Sequence, residues 1–186
     1  MIMAGGAGFL GRYLVGTLEY LNSHTLQKPC KIIVIDNFIS GLQSSVTPSE
    51  NVRLIQHDIS KPISFNEPIH FILHAASIAS PIFYNKFRME TIDLVIFCTR
   101  NLLELARDKK VESFLFFSSS EVYGNPDPKF IPTPEGYNGN VSCIGPRACY
   151  DEPKRMGETL CMTYATIYNL PIKIVRPFNT YGPGMR

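Results

Sequence analysis

Short apolar runs alternate along this chain with longer stretches in which apolar side chains return every three or four positions. The runs are residues 1–4 (MIMA), 31–35 (KIIVI), 52–56 (VRLIQ), 69–74 (IHFILH), 113–117 (SFLFF) and 172–176 (IKIVR). Rich in β-branched and aromatic residues, they predict buried strands. Leu10, Leu14, Leu18 and Leu21 repeat at helical spacing, as do Val95, Leu102, Leu105 and Ala106, and later Leu160, Tyr164 and Ile167. Strand followed by helix, repeated, predicts an α/β fold with a doubly wound parallel sheet. Turn formers interrupt the rhythm at residues 37–51 and 124–146. Both stretches read as active-site or connecting loops, because strand-like and helix-like segments resume on either side.

The first strand runs into Gly5-Gly6-Ala7-Gly8-Phe9-Leu10-Gly11, which opens a helix. Glycine spacing in that context points to dinucleotide binding. Gly5 can make the tight turn, Gly8 lets the backbone approach a pyrophosphate, and Gly11 permits close packing of the helix; Phe9 and Leu10 belong to the helix N-terminus that receives the anion. A glycine loop alone is equally a ligand-free βα turn. The second strand, however, ends in Asp36-Asn37. A carboxylate there accepts hydrogen bonds from the adenosine ribose and repels a 2′-phosphate, favouring NAD over NADP. Asp58 and Ile59 close the third strand, where Asp58 has two readings, an adenine contact or a turn residue.

Tyr150 and Lys154 stand one helical turn apart on the same face. By spacing alone the pair is a solvated helix face. Its place after a glycine loop, an acidic strand end and Ser118-Ser119-Ser120-Glu121 gives it a chemical reading. An ammonium beside a phenol is expected to lower its pKa from about 10, so that a phenolate takes a proton from a substrate alcohol near neutral pH.

With GGAGFLG at 5–11, HAAS at 74–77, SSSEVYG at 118–124, YDEPK at 150–154 and RPFNTYGPG at 176–184, the sequence resembles the extended short-chain dehydrogenase/reductases that modify nucleotide sugars. ASIASP at 76–81 and GPRACYDE at 145–152 look most like the UDP-glucuronate decarboxylase branch, the UDP-xylose synthases and relatives. The resemblance implies a Rossmann fold, tightly held NAD, oxidation at the sugar C4, loss of the C6 carboxylate as CO₂ from a 4-keto intermediate, and return of hydride. It makes Tyr150 the base at the C4 hydroxyl, Lys154 its tuner and a ribose ligand, and Ser119 the hydroxyl that orients the substrate. Ser120 and Glu121 fall near C5 and the carboxylate, Asn179 matches a substrate-contacting asparagine, and Ala75, Ala76 and Ser77 line the cofactor. Arg147 has two readings, a contact to sugar or phosphate and a loop salt bridge. Relatives dimerise through two helices, so a homodimer is implied.

Several positions depart from the family pattern. Ala4 replaces the usual threonine before the glycines, and Val95 and Cys98 replace the asparagine and glycine of N-x-x-G-T, of which Thr99 remains. Pro153 lies inside the Tyr/Lys helix and is tolerable in its first turn, which places helix onset near Cys149. The family also continues past GPG into a smaller substrate lobe. The whole chain, 1–186, is therefore expected to be the NAD-binding Rossmann domain, truncated at its ends, with the C-terminal substrate lobe absent and no turnover by itself. Inside the fold, a C4 epimerase and a 4,6-dehydratase are the rivals; outside it, a non-catalytic dinucleotide-binding module.

Composition adds exclusions. Hydrophobic residues make up 45% and charged residues 18%, the globular range, and a net charge of +2 spread along the chain argues against nucleic acid or a membrane surface as partner. The five cysteines show no metal-ligand spacing and read as reduced thiols of a cytoplasmic protein.

Overall fold

A first strand of three residues is sufficient because strands flank it on both sides. The computed structural model describes residues 1–185. In it β1 (Ile2–Ala4) pairs in parallel with β2 (Ile32–Asp36) and with β4 (Phe71–His74). The sheet order is β3-β2-β1-β4-β5-β6, with β3 at Val52–Gln56, β5 at Ser113–Phe117 and β6 at Ile172–Val175, and every pairing is parallel. All six strands fall on the apolar runs, with ends shifted by two residues or fewer.

The central strands are apolar at successive positions because both faces are covered. Ile2, Ala4, Ile33 and Ile35 join one cluster with α3 (Arg88–Lys109) and α4 (Ala148–Tyr168). Met3, Ile32 and Val34 point the other way, toward Val15 of α1 (Phe9–His24). Alternate residues of a strand face opposite sides, so each run feeds two cores. A short helix, α2 (Pro81–Lys86), precedes α3, while the crossovers from β2 to β3 and from β3 to β4 contain no α-helix.

The helical stripes differ from expectation in two places. In α1 the four leucines are half-buried, and the buried centre is Gly11, Val15 and Asn22. Asn22 is inside because its amide clamps the chain before β2, donating to the Cys30 carbonyl at 2.9 Å and accepting from the Cys30 N–H at 2.7 Å. In α4 the buried line runs Tyr150, Lys154, Gly157, Cys161, Tyr164, leaving Leu160 half-buried and Ile167 64% exposed. That line is set by the approach of the helix to β5: a Cβ on Gly157 would lie 2.5 Å from the Phe116 ring. Val95, Leu102, Leu105 and Ala106 of α3 are buried as the spacing predicts.

Helix α4 starts at Ala148, one residue before the expected onset, so Pro153 falls beyond the first turn. Its missing N–H leaves the Cys149 carbonyl without its partner four residues on, and the helix continues regardless because its face is packed on the sheet. All five cysteines are free. Among the described residues no helix is long and apolar enough to cross a membrane.

Candidate active site

Strand order reverses between β1 and β4, and the loops leaving these strands diverge there, opening a crevice at their carboxyl ends. The resulting cleft has a volume of about 660 Å³. The residues given cofactor, catalytic or substrate roles above, from Gly5 to Asn179, line it.

At one end lies the glycine loop. Gly5 has φ +77°, and a Cβ there would sit 2.5 Å from the backbone of Ala76, so only glycine lets the β1 turn lie against Ala75 and Ala76 after β4. Gly11 allows α1 to rest on that turn, since a Cβ would fall 2.2 Å from the Gly5 carbonyl oxygen. Gly8 is the N-cap of α1. The first N–H groups of the helix then face the cleft without intrahelical partners, a receptor for a phosphate anion.

Asp36 ends β2 with its carboxylate pinned: Oδ2 accepts from the Ala7 N–H at 3.0 Å and Oδ1 from the Phe38 N–H at 2.8 Å. Burial pushes this carboxyl up, against the pull of the backbone donors of Phe38, Ala7 and Asn37. Each oxygen keeps a lone pair for a ribose hydroxyl. Asn37 accepts from the Ile39 N–H at 3.1 Å, and Asp58 accepts from the Ser60 N–H at 3.0 Å, so Asp58 shapes its own turn while lining the cleft. Beyond the switch point, Ser77 Oγ is buried with no protein partner. A loop that has no room for a Cβ, a pinned strand-end carboxylate and an unpartnered buried hydroxyl together fit a dinucleotide. Asp36→Ala is expected to weaken NAD binding by about 1–3 kcal/mol and to narrow the preference over NADP, as calorimetry with both nucleotides would show.

At the other end, α4 presents Tyr150 and Lys154, which are 6% and 3% exposed. Lys154 Nζ donates to the Phe117 carbonyl at 2.6 Å and lies 5.8 Å from the centre of the Tyr150 ring. Ser119 is near enough to the Tyr150 hydroxyl to oppose the effect of burial on it, and its Oγ accepts from the Glu121 N–H at 3.2 Å. The ionisation differs from expectation. Burial pushes the Tyr150 phenol above its usual value, the Ser119 hydroxyl opposes this, and the Glu121 and Asp151 carboxylates add to the rise. Lys154 is itself pushed down to about 7 by burial, with Glu158 resisting. The lysine therefore does not depress the phenol here, because desolvation disfavours the charged form of both groups.

This has a measurable consequence. Between the folded value of about 7 and the ordinary 10.5, the unfolded chain holds a proton on Lys154 that the folded chain lacks. Stability therefore rises with pH across that window, by up to about 1.4 kcal/mol per pH unit from this group. Urea unfolding of the native chain should show the rise, and Lys154→Met should lose it.

The third wall is charged. Arg147 Nη1 meets Glu121 Oε2 at 2.6 Å, and its Nε lies 3.7 Å from Asp151 Oδ2. The salt-bridge reading of Arg147 is thus the one seen, although the side chain still lines the cleft. Asp151, 5% exposed, is pushed up to about 6 by burial, with Arg147 opposing and Glu121 and Glu152 reinforcing. Asn179 lies in the exposed segment after β6.

Three features escaped the sequence. Tyr84 of α2 stacks on Tyr150, with ring centres 5.3 Å apart and planes at 13°; a lone tyrosine in a short helix carries no signal. His74 is buried, with Nε2 3.0 Å from Thr99 Oγ1, and burial and Lys154 push it down to about 3, so it stays neutral. Beneath the serine run, Glu158 accepts from Ser118 Oγ at 2.5 Å and takes both ends of the Arg176 guanidinium, at 2.8 and 2.6 Å. A glutamate one turn after Lys154 was the available clue. Among the described residues, no group of three or more His, Cys, Asp or Glu could hold a metal ion.

The glycine cradle, the acidic end of β2 and the Tyr150–Lys154 pair occur on one chain whose entire length, residues 1–186, matches the NAD dependent epimerase/dehydratase family. The chain belongs to this family. Its cofactor is NAD. Over 189 aligned residues the chain is 40% identical to UDP-glucuronic acid decarboxylase 5 of Arabidopsis thaliana, covering 100% of itself and 52% of that relative. It spans about half the length of that enzyme. Among solved structures it is similar to a UDP-galactose 4-epimerase, with 30% identity, a TM-score of 0.73, and coverage of 94% of this chain and 54% of that one. It is also similar to the UDP-glucose 4-epimerase of Thermotoga maritima solved with UDP-glucose, at 25% identity and TM-score 0.78, covering 98% and 56%. The family modifies nucleotide sugars in these members.

Proposed function

We propose that this chain carries the NAD-binding and proton-transfer machinery of a UDP-glucuronate decarboxylase that forms UDP-xylose through a 4-keto intermediate. The observation that carries this reading is the cleft wall beside Tyr150, where Ser120 and Glu121 line the cleft with Arg147, which pairs with Glu121. The similarity to UDP-glucuronic acid decarboxylase 5 supports it.

In this reading Ser119 orients the C4 hydroxyl and Tyr150 takes its proton. The glycine loop and Asp36 would hold NAD, which would supply a reversible hydride acceptor for C4. Once C4 is a ketone, the C6 carboxylate is β to it. The C5–C6 bond can then break with its electrons passing into an enolate as CO₂ leaves, and no acid is needed at C6. Dehydration of a C6 alcohol would instead need a carboxylic acid to protonate the departing hydroxide. Ser120 occupies the position beside Glu121 where such an acid would stand, and a serine hydroxyl is too weak, a deficit of about 10²–10⁴ in rate. A substrate carboxylate near Glu121 also needs a cation to offset the two anions, and Arg147, paired with Glu121 at 2.6 Å, can supply it.

The likeness to 4-epimerases supports a second reading, inversion at C4 with the carboxylate retained. Nuclear magnetic resonance of the whole protein incubated with NAD and UDP-glucuronate, or with UDP-glucose, separates the two. A pentose nucleotide from the acid is expected. A C4-inverted acid sugar would move the assignment to the epimerase, and a 4-keto-6-deoxy product from UDP-glucose would overturn the argument from Ser120.

A further inference from the structure

Two successive turns of α4 clamp two successive residues at the end of β5. Lys154 Nζ donates to the Phe117 carbonyl at 2.6 Å, and Glu158 accepts from the neighbouring Ser118 Oγ at 2.5 Å. Lys154 and Glu158 share one helix face, four residues apart. Glu158 is fixed from the far side: the Arg176 guanidinium engages both carboxylate oxygens, while its other nitrogen donates to Tyr123 Oη at 2.8 Å and to the Glu135 carbonyl at 2.9 Å. A bidentate partner of this kind leaves the carboxylate little freedom to turn away.

We propose that Glu158 is a positioning residue that favours the ammonium form of Lys154 and holds it directed at the Phe117 carbonyl, beside Tyr150. The proposal rests on the reading of Lys154 as part of the Tyr/Lys pair and is independent of which sugar the protein modifies.

Lys154 is 3% exposed, and the groups that meet it from the sheet offer dipoles and ring faces but no net charge. From β4 it faces neutral His74; from β5 it meets the Phe117 carbonyl and the Phe116 ring, 5.3 Å away; from its own helix it meets Tyr150 and Glu158. Glu158 supplies the negative charge that resists burial of the ammonium. It stays ionised, because although burial would raise it, hydrogen bonds from Arg176 and Ser118 and the charge of Arg155 hold it below its usual value. Its charge also reaches Cys161, whose thiol burial pushes up to about 12 with Glu158 adding to the rise. Without Glu158 the buried ammonium would lose this anion and Arg176 would stand uncompensated nearby, both of which favour the neutral amine.

The test is competitive acetylation of the 186-residue chain with trace acetic anhydride across the neutral and alkaline range, with Lys154 quantified by mass spectrometry, since only the neutral amine reacts. Glu158→Gln keeps a polar side chain of the same shape and is expected to lower the half-labelling point of Lys154 by about one pH unit. Glu158→Asp, with its charge drawn back by one methylene, should fall between that variant and the native chain. Ser118→Ala removes a hydrogen bond to the same carboxylate without removing its charge, and should leave the half-labelling point in place. Should Glu158→Gln fail to fold by circular dichroism, the contrast between Glu158→Asp and Ser118→Ala decides. Unmoved labelling in the Glu158 variants would overturn the proposal, as would an equal shift in Ser118→Ala, which would mean that a loosened strand end, rather than the charge, sets the behaviour of Lys154.

Discussion

Gly11→Ala is expected to abolish measurable NAD binding and to destabilise the chain by about 3 kcal/mol or more. The added Cβ would lie 2.2 Å from the Gly5 carbonyl oxygen and 2.6 Å from Gly6 Cα, and neither atom can rotate away as a side-chain terminus could. Either α1 lifts off the turn or the turn moves toward Ala75 and Ala76, against which Gly5 is already packed. Both movements displace the helix N-terminus from the place where the pyrophosphate must lie. Thermal unfolding and calorimetric titration with NAD test the two halves of the expectation. A variant that retains native affinity would show that the glycine loop is only a turn. Gly16→Ala is the matched control, because a Cβ there meets nothing within 4 Å.

In the proposed reaction, Tyr150→Phe is expected to lower turnover by about 10²–10⁴, with NAD affinity little changed. The ring that stacks on Tyr84 is kept, so the packing of α2 on α4 survives; what goes is the phenol hydroxyl at the cleft. The expected signature is loss in kcat without loss of cofactor. Because burial raises the phenol, native turnover should climb with pH as the phenolate forms, and Ser119→Ala should push that climb to higher pH by removing the hydroxyl that opposes the rise. Turnover by Tyr150→Phe close to the native rate would remove Tyr150 from the reaction.

Local pattern was enough for the architecture because a parallel sheet buried on both faces writes itself as uninterrupted apolar runs. Ile32–Asp36 is buried at all five positions, and the run that predicted it could be little else. The glycine loop was legible for a similar reason: three glycines at set spacing answer a backbone requirement that other residues cannot meet. Ile167 shows the limit. It shares helical spacing with Leu160 and Tyr164, yet which side of that broad stripe is buried depends on where Gly157 lets α4 touch Phe116.

The sequence by itself determined the six strands, the NAD cradle and the identity of the side chains at the Tyr/Lys end, since these follow from residue type and spacing along the chain. Only the tertiary structure decided their electrostatics and their neighbours. A separation of four residues puts Tyr150 and Lys154 on one face, but whether the ammonium lowers the phenol depends on how much water surrounds both, and here burial raises one and lowers the other. Tyr84 reaches Tyr150 across 66 positions of chain, Arg147 meets Glu121 across 26, and Arg176 meets Glu158 from the end of another strand. Such contacts are products of the sheet order, which brings together segments whose sequences hold no record of one another.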